Sequence, residues 1–574
     1  MKRVLSYLQP FRVRMLIGFL IKVLGTLSEL LLPVVLTHIL DVVVTREDLK
    51  QILLWGVLML ALAAAACVFN IVANRMAAYV GQRFSASLRR DLFYRTLTLD
   101  TRVTDAFTIP SLESRITTDT YHVNNFVMMI QRMGVRAPIL LVGGLAIAFV
   151  LDAHLALVML AVMPFIFVTV FTLSTVGRRL YTRVQRGTDS VVRVVREDFG
   201  GMRVIKALSK EDYECNRFDK ANLALSRAEQ TASFTMSGTH PVMNLFMNLG
   251  IAAVIALAAY RVDLGTSTQP ETVIAFMQYF TLISTALMAV SRMFVMFSKC
   301  SASAARIAEV LDAPNDLSRT EEETPAEEAA DLIVFRDVSF SYEGVKNNLE
   351  HISFSLPRGG SLGVIGGTGS GKSTLIKLLL RFYDADAGEI RMMGKDLRAY
   401  TREEIAPHVG VAHQKDFLYA DTVRENVRFG RDLSEEEIRE ALRIAQAADF
   451  VDALPEGLDT LLAAGGTNLS GGQRQRLLIA RAVAGTPDLL ILDDASSALD
   501  YKTDAALRQA LARMDRRMTT ITVAQRASSV MSCDRILVLD DGKMIGYGTH
   551  DELFESCTVY REISDSQMGG ALFE

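Results

Sequence analysis

Cysteine pairs, clustered histidines and an excess of positive charge are all absent from this sequence, and each absence excludes a class of protein. The cysteines are scattered, with no CxxC pair and no histidine cluster beside them, which indicates free thiols rather than disulfides or a zinc site. A formal net charge of -4 over 574 residues lacks the basic excess that nucleic-acid binding needs, so we expect no nucleic-acid partner. The five cysteines are Cys67, Cys215, Cys300, Cys533 and Cys557.

Apolar residues make up 50% of the chain, and they are unevenly distributed. Long apolar stretches occupy the sequence up to about residue 300, whereas the part from about residue 332 is mixed and well charged. A helix needs about 20 mostly apolar residues to cross a membrane. Six stretches meet this requirement, near residues 15–40, 52–79, 132–151, 155–176, 241–261 and 272–298. The sequence therefore predicts a membrane domain of six spans followed by a water-soluble domain.

The links between the spans predict the orientation of the chain. Short links near 45–50, 152–154 and 262–270 alternate with long, arginine-rich links near 80–130 and 177–240, which marks the long links and both termini as cytoplasmic. The first dozen residues, with a basic and an apolar side, suit a short helix in the membrane interface. The long links are rich in helix formers, so we expect them to extend the spans into the cytosol, with residues 111–117 and 209–214 at their tips. Whether another domain pushes on these tips, or they are solvated hairpins, is left open by the links alone.

Ionisable residues within membrane spans are costly and are functional candidates. Lys22 and Glu29 lie seven residues apart on one helical face, where they can pair with each other. Arg132, Arg136 and Arg292 can face a central cavity. Substrate contact, a structural salt bridge and snorkelling at the end of a span remain alternatives for each of them.

A glycine loop lies in the second half of the chain. An acidic linker at 313–332 precedes this half and separates a transmembrane domain at 1–312 from a nucleotide-binding domain at 333–574. Residues 366–373 fit GxxxxGK[ST] between an apolar strand and a helix, a pattern in which backbone N–H groups wrap phosphates. Lys372 is expected to contact the β- and γ-phosphates and Ser373 to hold Mg²⁺. The loop residues predicted to contact nucleotide are Gly367, Thr368, Gly369, Ser370, Gly371, Lys372, Ser373 and Thr374.

Two further motifs complete a nucleotide site. The apolar run at 489–493 ends in Asp493, as a buried parallel strand with a carboxylate on the magnesium side should. Between the loop and this strand, LSGGQRQR at 469–476 is a second phosphate-binding helix start, which we expect to serve a nucleotide held by a partner domain. Its predicted contacts are Ser470, Gly471, Gly472 and Gln473.

With these motifs in this order, followed by ILDD and SALD, the chain resembles ABC transporters of the exporter (type IV) architecture over nearly its whole length. The resemblance implies a helical membrane domain with long cytosolic extensions, fused to an α/β P-loop nucleotide-binding domain that uses ATP and Mg²⁺. It also implies that Tyr342 stacks on adenine, that Gln414 senses the γ-phosphate and Mg²⁺, and that residues 497–500 communicate across a dimer. The long links would then carry coupling helices, which favours the alternative in which another domain pushes on the tips of these links.

Three positions depart from the family pattern. Asp494 stands where the family has glutamate to polarise the attacking water, and Gln525 stands where it has a switch histidine. Both changes affect the same chemical step, while the signature motif is intact. Ala464 lacks the carboxylate usual before that motif. The chain thus resembles the degenerate-site subunit of heterodimeric exporters, whose own site is slow and whose signature completes the competent site of the partner.

The sequence therefore predicts one half of an ATP-driven exporter in the plasma membrane, moving amphipathic or hydrophobic compounds such as drugs, lipids or peptides out of the cytoplasm. A heterodimer is favoured over a homodimer. An ATP-binding regulatory subunit with little turnover is an alternative from another class, and a type IV importer of metal chelates is an alternative in direction. The identity of the substrate does not follow from the residues.

Overall fold

The computed structural model describes residues 1–46, 48–263, 270–314, 317, 330–342, 344, 346–414, 416–495, 497–514 and 518–568. Most of the predicted linker at 313–332 and of the predicted external link at 262–270 lies outside these residues. The chain divides into two compact units, Met1–Thr98 with Phe107–Ala313 and Leu99–Ala106 with Pro314–Glu574. The second unit thus includes eight residues from inside the range predicted as the transmembrane domain.

The first unit is built of helices, and six of the described helices are long and apolar enough to cross a membrane, which confirms the predicted helical membrane domain. The first dozen residues form a short helix and a 3₁₀ turn, Ser6–Phe11, before the first span. In chain order the helices up to residue 311 are α1 (Lys2–Leu5), α2 (Arg12–His38), α3 (Leu49–Thr98), α4 (Thr101–Phe107), α5 (Ile109–Ser114), α6 (Thr120–Leu151), α7 (Ala153–Gly200), α8 (Met202–Ala207), α9 (Glu211–Ser237), α10 (Thr239–Asp263) and α11 (Pro270–Leu311).

The span helices continue well beyond the thickness of a membrane. Helix α3 has 50 residues, or about 75 Å at 1.5 Å per residue, against a hydrocarbon core of about 30 Å. This length agrees with the expected extension of the spans into the cytosol.

The tips of the two long links are the short helices α4 and α8. The prediction that residues 111–117 form the first tip is wrong, because they lie in the returning α5 and the turn after it. Thr108 has φ +62°, which interrupts the helix, and Pro110 lies in the first turn of α5, where a missing N–H costs nothing. Residues 209–214 adjoin the second tip, since α9 begins at Glu211.

A buried tyrosine anchors the core of the first unit. The hydroxyl of Tyr279 on α11 donates to the carbonyl of Leu30 on α2 at 2.7 Å, and both residues are buried. Phe276 and Phe280 pack beside it in the same apolar cluster. The pairing matters because a buried hydroxyl without a partner would destabilise the fold.

The second unit contains one ten-stranded sheet, flanked by helices, which confirms the predicted α/β domain. The strands are β1 (Asp331–Phe340), β2 (Leu349–Pro357), β3 (Ser361–Gly366), β4 (Ala387–Met392), β5 (Lys395–Asp396), β6 (Val409–Ala412), β7 (Leu489–Asp493), β8 (Thr519–Val523), β9 (Arg535–Asp540) and β10 (Lys543–Gly548), in the spatial order β5-β4-β1-β2-β10-β9-β3-β8-β7-β6. Strands β9, β3, β8, β7 and β6 are mutually parallel, whereas β1 is antiparallel to β2 and β4.

The helices that follow residue 331 include members on both faces of this sheet. They are α12 (Lys372–Leu379), α13 (Arg402–Ile405), α14 (Val423–Arg428), α15 (Glu435–Ile444), α16 (Ala448–Asp452), α17 (Gly471–Val483), α18 (Tyr501–Ala512), α19 (Ala527–Val530), α20 (His550–Ser556) and α21 (Thr558–Met568). Leu489 and Ile491 of β7 share an apolar cluster with α12, whereas Leu490 and Leu492 share another with α17. Because alternate side chains of a strand point to opposite faces, α12 and α17 lie on opposite faces of the sheet.

Candidate functional site

The loop between β3 and α12 depends on glycine at its two ends. A Cβ on Gly366 would lie 2.1 Å from the carbonyl oxygen of Leu539, and one on Gly371 would lie 2.7 Å from a methyl of Leu349. Gly371 also has φ +103°, in the left-handed region that favours glycine. The loop therefore turns tightly against its neighbours and delivers the chain to the N-terminus of α12, where backbone N–H groups favour an anion.

Lys372 is folded over the glycine loop. Its Nζ donates to the carbonyl oxygens of Gly366 at 2.8 Å and Gly367 at 2.7 Å. Burial lowers the pKa of Lys372, while the charges of Asp493 and Asp494 oppose the shift. Nζ also donates to the hydroxyl of Ser370 at 3.4 Å, so an anion entering this loop would meet a cation held by neutral oxygens of the loop itself.

The hydroxyl groups that follow Lys372 differ in exposure. Ser373 is exposed at the start of α12, whereas Thr374 is buried and accepts a hydrogen bond from the hydroxyl of Tyr342 at 3.3 Å. The ring of Tyr342 is half-buried and meets Phe340 and Tyr383 edge-on, with centroids 4.9 and 5.1 Å away. The structure thus places Tyr342 beside the loop, and its stacking on adenine stays a prediction.

Two adjacent carboxylates lie at the carboxyl end of β7. Asp493 is 8% exposed, and burial raises the pKa of its carboxyl group. Asp494 has φ +52°, which aspartate tolerates better than most residues, and its N–H donates to the carbonyl of Val523 at 2.9 Å. Both carboxylates influence Lys372, so the structure brings the predicted loop and the predicted strand end into one site.

Gln414 joins this site through Asp494. Its Nε2 donates to Oδ2 of Asp494 at 3.0 Å. Burial raises the pKa of Asp494, and the hydrogen bond from Gln414 opposes that shift. The glutamine expected to contact the γ-phosphate and Mg²⁺ is therefore bonded to the residue at the position of the catalytic carboxylate.

Gln525 is exposed just after β8, and a residue from the C-terminal helix fixes its backbone. The carbonyl of Gln525 accepts a hydrogen bond from Nε2 of Gln567 at 2.9 Å, and the N–H of Ala527 donates to Oε1 of Gln567 at 2.7 Å. Gln567 could not be identified from the sequence, because it lies 42 residues away from Gln525 in a helix that carries no recognisable motif.

The signature motif forms the N-terminus of α17. Ser470 and Gln473 make a capping box, in which Ser470 Oγ accepts from the N–H of Gln473 at 3.2 Å and Gln473 Oε1 accepts from the N–H of Ser470 at 2.9 Å. A Cβ on Gly471 would meet nothing within 4 Å, and one on Gly472 only the carbonyl of Ala498 at 3.4 Å. The first turn of this 13-residue helix is therefore open to an approaching anion.

Two segments connect these parts. Ser497 Oγ donates to the carbonyl of Asp494 at 2.8 Å, which ties the predicted communication loop at 497–500 to the strand end. The exposed Ala464 begins a 3₁₀ turn in which the N–H of Gly465 donates to the carbonyl of Leu418, close after Gln414. The turn before the signature motif is thereby attached to the segment that follows Gln414.

Comparison with known proteins gives a consistent picture. Residues 15–287 match the family model of the ABC transporter transmembrane region, and residues 349–497 match that of ABC transporters. An uncharacterized ABC transporter ATP-binding protein of Bacillus subtilis, YfiB, is 33% identical over 99% of both chains. The ATP-dependent lipid A-core flippase of Desulfotalea psychrophila is 33% identical over 74% of both chains. Among solved structures, a bacterial Atm1-family ABC exporter with ATP bound superposes with a TM-score of 0.80 at 25% identity, covering 96% of this chain and 98% of the other.

Proposed function

This chain belongs to the ABC transporters of exporter architecture, and on that premise we propose that it is the slow-site half of a heterodimeric exporter. The family and the six spans make it a multi-pass plasma-membrane protein with a cytoplasmic nucleotide-binding domain, whose ATP hydrolysis is coupled to transport. The proposal adds that its own site holds ATP with little turnover, and that its signature motif serves a competent site on a non-identical partner.

The observation that carries the slow-site proposal is the hydrogen bond between Gln414 and Asp494. A general base must reach the proton of the attacking water, within about 3 Å of it. The Asp494 carboxylate is one methylene shorter than the family glutamate and is bonded to Gln414 at 3.0 Å. Gln525 supplies an amide in place of an imidazole, so it cannot take up or release a proton near neutral pH. The two family groups that take part in activating the attacking water, the glutamate and the histidine, are thus both replaced at this site by less effective side chains.

The binding residues, by contrast, fit ATP and Mg²⁺. The glycine loop and Lys372 form an anion cradle, and Ser373 and Asp493 offer a hydroxyl and a carboxylate beside it. Among the described residues, no group of three or more His, Cys, Asp or Glu side chains could hold a metal alone. Mg²⁺ commonly takes one or two protein carboxylates together with phosphate oxygens and water. We therefore assign Ser373 and Asp493 as its protein ligands, with Gln414 available if its bond to Asp494 opens.

The signature motif supports a site shared between two chains. Helices α12 and α17 pack on opposite faces of the sheet, so the open start of α17 does not share a face with the glycine loop of its own chain. A second chain would bring its loop to Ser470, Gly471 and Gly472. We propose amphipathic or hydrophobic compounds as the transported class, and the similarity to a lipid A-core flippase is consistent with a lipid-like substrate.

Affinity purification from native membranes tests the assembly. A tagged copy of this chain should bring down a second, non-identical ABC chain that has glutamate and histidine at the positions of Asp494 and Gln525. The chain alone should hydrolyse ATP weakly, and the pair should be severalfold more active. Recovery of this chain only, with strong hydrolysis, would mean a homodimer with two competent sites.

A further inference from the structure

Six polar side chains gather within the membrane unit, on three of its span helices. They line an open cavity of 340 Å³ and come from α2, α3 and α6. We call them the cationic cluster: Lys22, Glu29, Asn70, Asn74, Arg132 and Arg136. Ionisable groups inside spans usually face a cavity or each other and mark the path of a substrate or ion.

Within the cluster, Arg136 and Glu29 form an ion pair and neutralise each other's charge. Arg136 donates to both carboxylate oxygens of Glu29, from Nε at 3.1 Å and from Nη2 at 2.5 Å. The expected pairing of Glu29 with Lys22 is wrong, because seven residues separate them by about 10.5 Å along the helix, whereas helical ion pairs form three or four residues apart. Arg136 therefore needs no further anion.

The other two cations of the cluster, Lys22 and Arg132, have hydrogen-bond partners but no carboxylate partner like that of Arg136. Lys22 is 4% exposed, and its Nζ donates to Oδ1 of Asn70 at 2.7 Å and of Asn74 at 3.2 Å. Arg132 donates from Nη2 to the carbonyl of Asn74 at 3.3 Å, while its buried Nε has no hydrogen-bond partner among the described residues. Within the described part of the chain, neither side chain forms a salt bridge. The hydrogen-bond acceptors of these two cations are thus neutral, and the cluster has three cations for one carboxylate.

The direction of the Lys22 amine argues against an explanation by snorkelling. Lys22 lies 16 residues before His38, the last residue of α2, or about 24 Å from that end, which places it in the half of the membrane nearer the cytoplasm. A snorkelling lysine directs its amine to water. The amine of Lys22 instead points to Asn70 and Asn74 beside the cavity, so its position serves the cavity rather than the interface.

We infer that the cationic cluster binds the anionic group, a carboxylate or a phosphate, of the transported compound. The inference rests on the proposed export function and names its substrate class. Lys22 provides charge, and the unpaired Nε of Arg132 provides a donor of a guanidinium fork that suits carboxylate and phosphate oxygens. Burial of an anion here would neutralise charge that the protein alone leaves uncompensated.

Binding can be measured without turnover. The full-length chain, in the complex in which it purifies, is placed in phosphatidylcholine nanodiscs and titrated with radiolabelled dodecyl phosphate, dodecanoate or dodecyltrimethylammonium. We expect the two anionic probes to bind and the cationic probe not to compete. If inorganic phosphate competes with dodecyl phosphate, the cluster binds a water-soluble anion. If inorganic phosphate does not compete, the anionic group belongs to an amphiphile. Equal binding of the anionic and cationic probes would overturn the inference.

Matched substitutions separate the cluster from general charge effects. Lys22→Gln and Arg132→Gln should each weaken binding of dodecyl phosphate by about tenfold, since hydrogen bonds to charged groups are the strong ones. Arg75→Gln removes the same charge from an exposed position of α3 outside the cavity and should leave binding unchanged. Basal ATPase of the Arg75→Gln complex should match that of the unmodified complex. Unchanged binding in both cluster variants, with ATPase intact, would sink this inference alone, whereas absence of ATPase and transport in the unmodified complex would sink the proposed function.

Discussion

Asp494 combines a sharp backbone turn with the side chain on which the slow-site proposal depends. Its φ of +52° turns the chain sharply out of β7, and its N–H is fixed on Val523 at 2.9 Å. The short side chain then reaches Gln414, and burial raises the pKa of its carboxyl group. Catalysis is sensitive to such placement, since a shift of about 1 Å can cost about a hundredfold in rate.

We predict that Asp494→Glu alone restores little hydrolysis, whereas Asp494→Glu with Gln525→His raises it at this site. The longer carboxylate regains reach, and the imidazole supplies the group that holds the γ-phosphate. Phosphate release is measured in a complex whose partner site has been silenced by mutating its own glutamate.

In that background the unmodified chain should retain ATP with slow turnover, and Gln525→His alone serves as the matched single change. If the unmodified site already turns over at the rate of the intact complex, Asp494 is a sufficient base and the site is not degenerate.

At the scale of elements, three polar contacts fix α4, all but the last residue of which belongs to the second unit, within that unit. The hydroxyl of Tyr383 bonds the carboxylate of Asp105, and burial together with that carboxylate raises the pKa of Tyr383. Asp100, just before α4, is 4% exposed and accepts from Arg402 at 3.2 Å. Arg102 and Asp386 make a longer ion pair at 3.9 Å. A buried carboxylate and a buried phenol cannot slide freely, so α4 should move with the domain that it contacts.

Tyr383→Phe should therefore weaken coupling while leaving nucleotide binding intact. The change removes one hydroxyl and keeps the ring that packs on Phe340 and Tyr342. We expect basal ATPase to persist and its stimulation by transported substrate to fall. Tyr547→Phe is the control, because it also loses one hydrogen bond of a tyrosine hydroxyl, to the carbonyl of Ser355, away from α4. Equal stimulation in the two variants would show that the Tyr383 contact does not transmit motion.

Helix α21 is expected to fix the backbone around Gln525. Gln567→Ala removes the acceptor of the Ala527 N–H, so that amide should exchange with deuterium faster, by about the fivefold that a net contribution of about 1 kcal/mol implies. Ser566→Ala, a change at the neighbouring exposed position, should leave the exchange of Ala527 unchanged. Unaltered exchange at Ala527 in Gln567→Ala would mean that other contacts hold this turn.

Some elements were accessible from the sequence and others were not, for physical reasons. Hydropathy finds the spans because a bilayer demands length and apolarity, and the glycine loop is found because only glycine fits its turns. Hydropathy carries no information on how a helix is rotated, so the partners of Lys22 and Glu29 were predicted incorrectly.

The same limit applies within the nucleotide site. Motif residues such as Lys372 and Asp493 were identified because their chemistry needs fixed spacing. The bond from Gln414 to Asp494 depends on the meeting of β6 and β7 in the sheet, and the contact from Gln567 depends on the return of the last helix. Contacts between residues that lie far apart in the sequence were not predictable, because no local sequence pattern indicates them.

At the scale of the whole molecule, the open start of α17 and the glycine loop should act in different sites of a dimer. We predict that Ser470→Arg lowers ATPase of the complex by about a hundredfold, because it places a bulky side chain at the helix N-terminus that completes the competent site. Lys372→Ala weakens ATP binding at the slow site and should reduce ATPase less completely. Steady-state phosphate release of the two complexes, prepared with the same partner, makes the comparison.

The capping box offers a control, since Ser470→Thr keeps the hydroxyl that accepts from Gln473 and should retain most activity. Equal losses from Ser470→Arg and Lys372→Ala would mean that the two sites are equivalent, and the assignment of unequal roles would then be wrong.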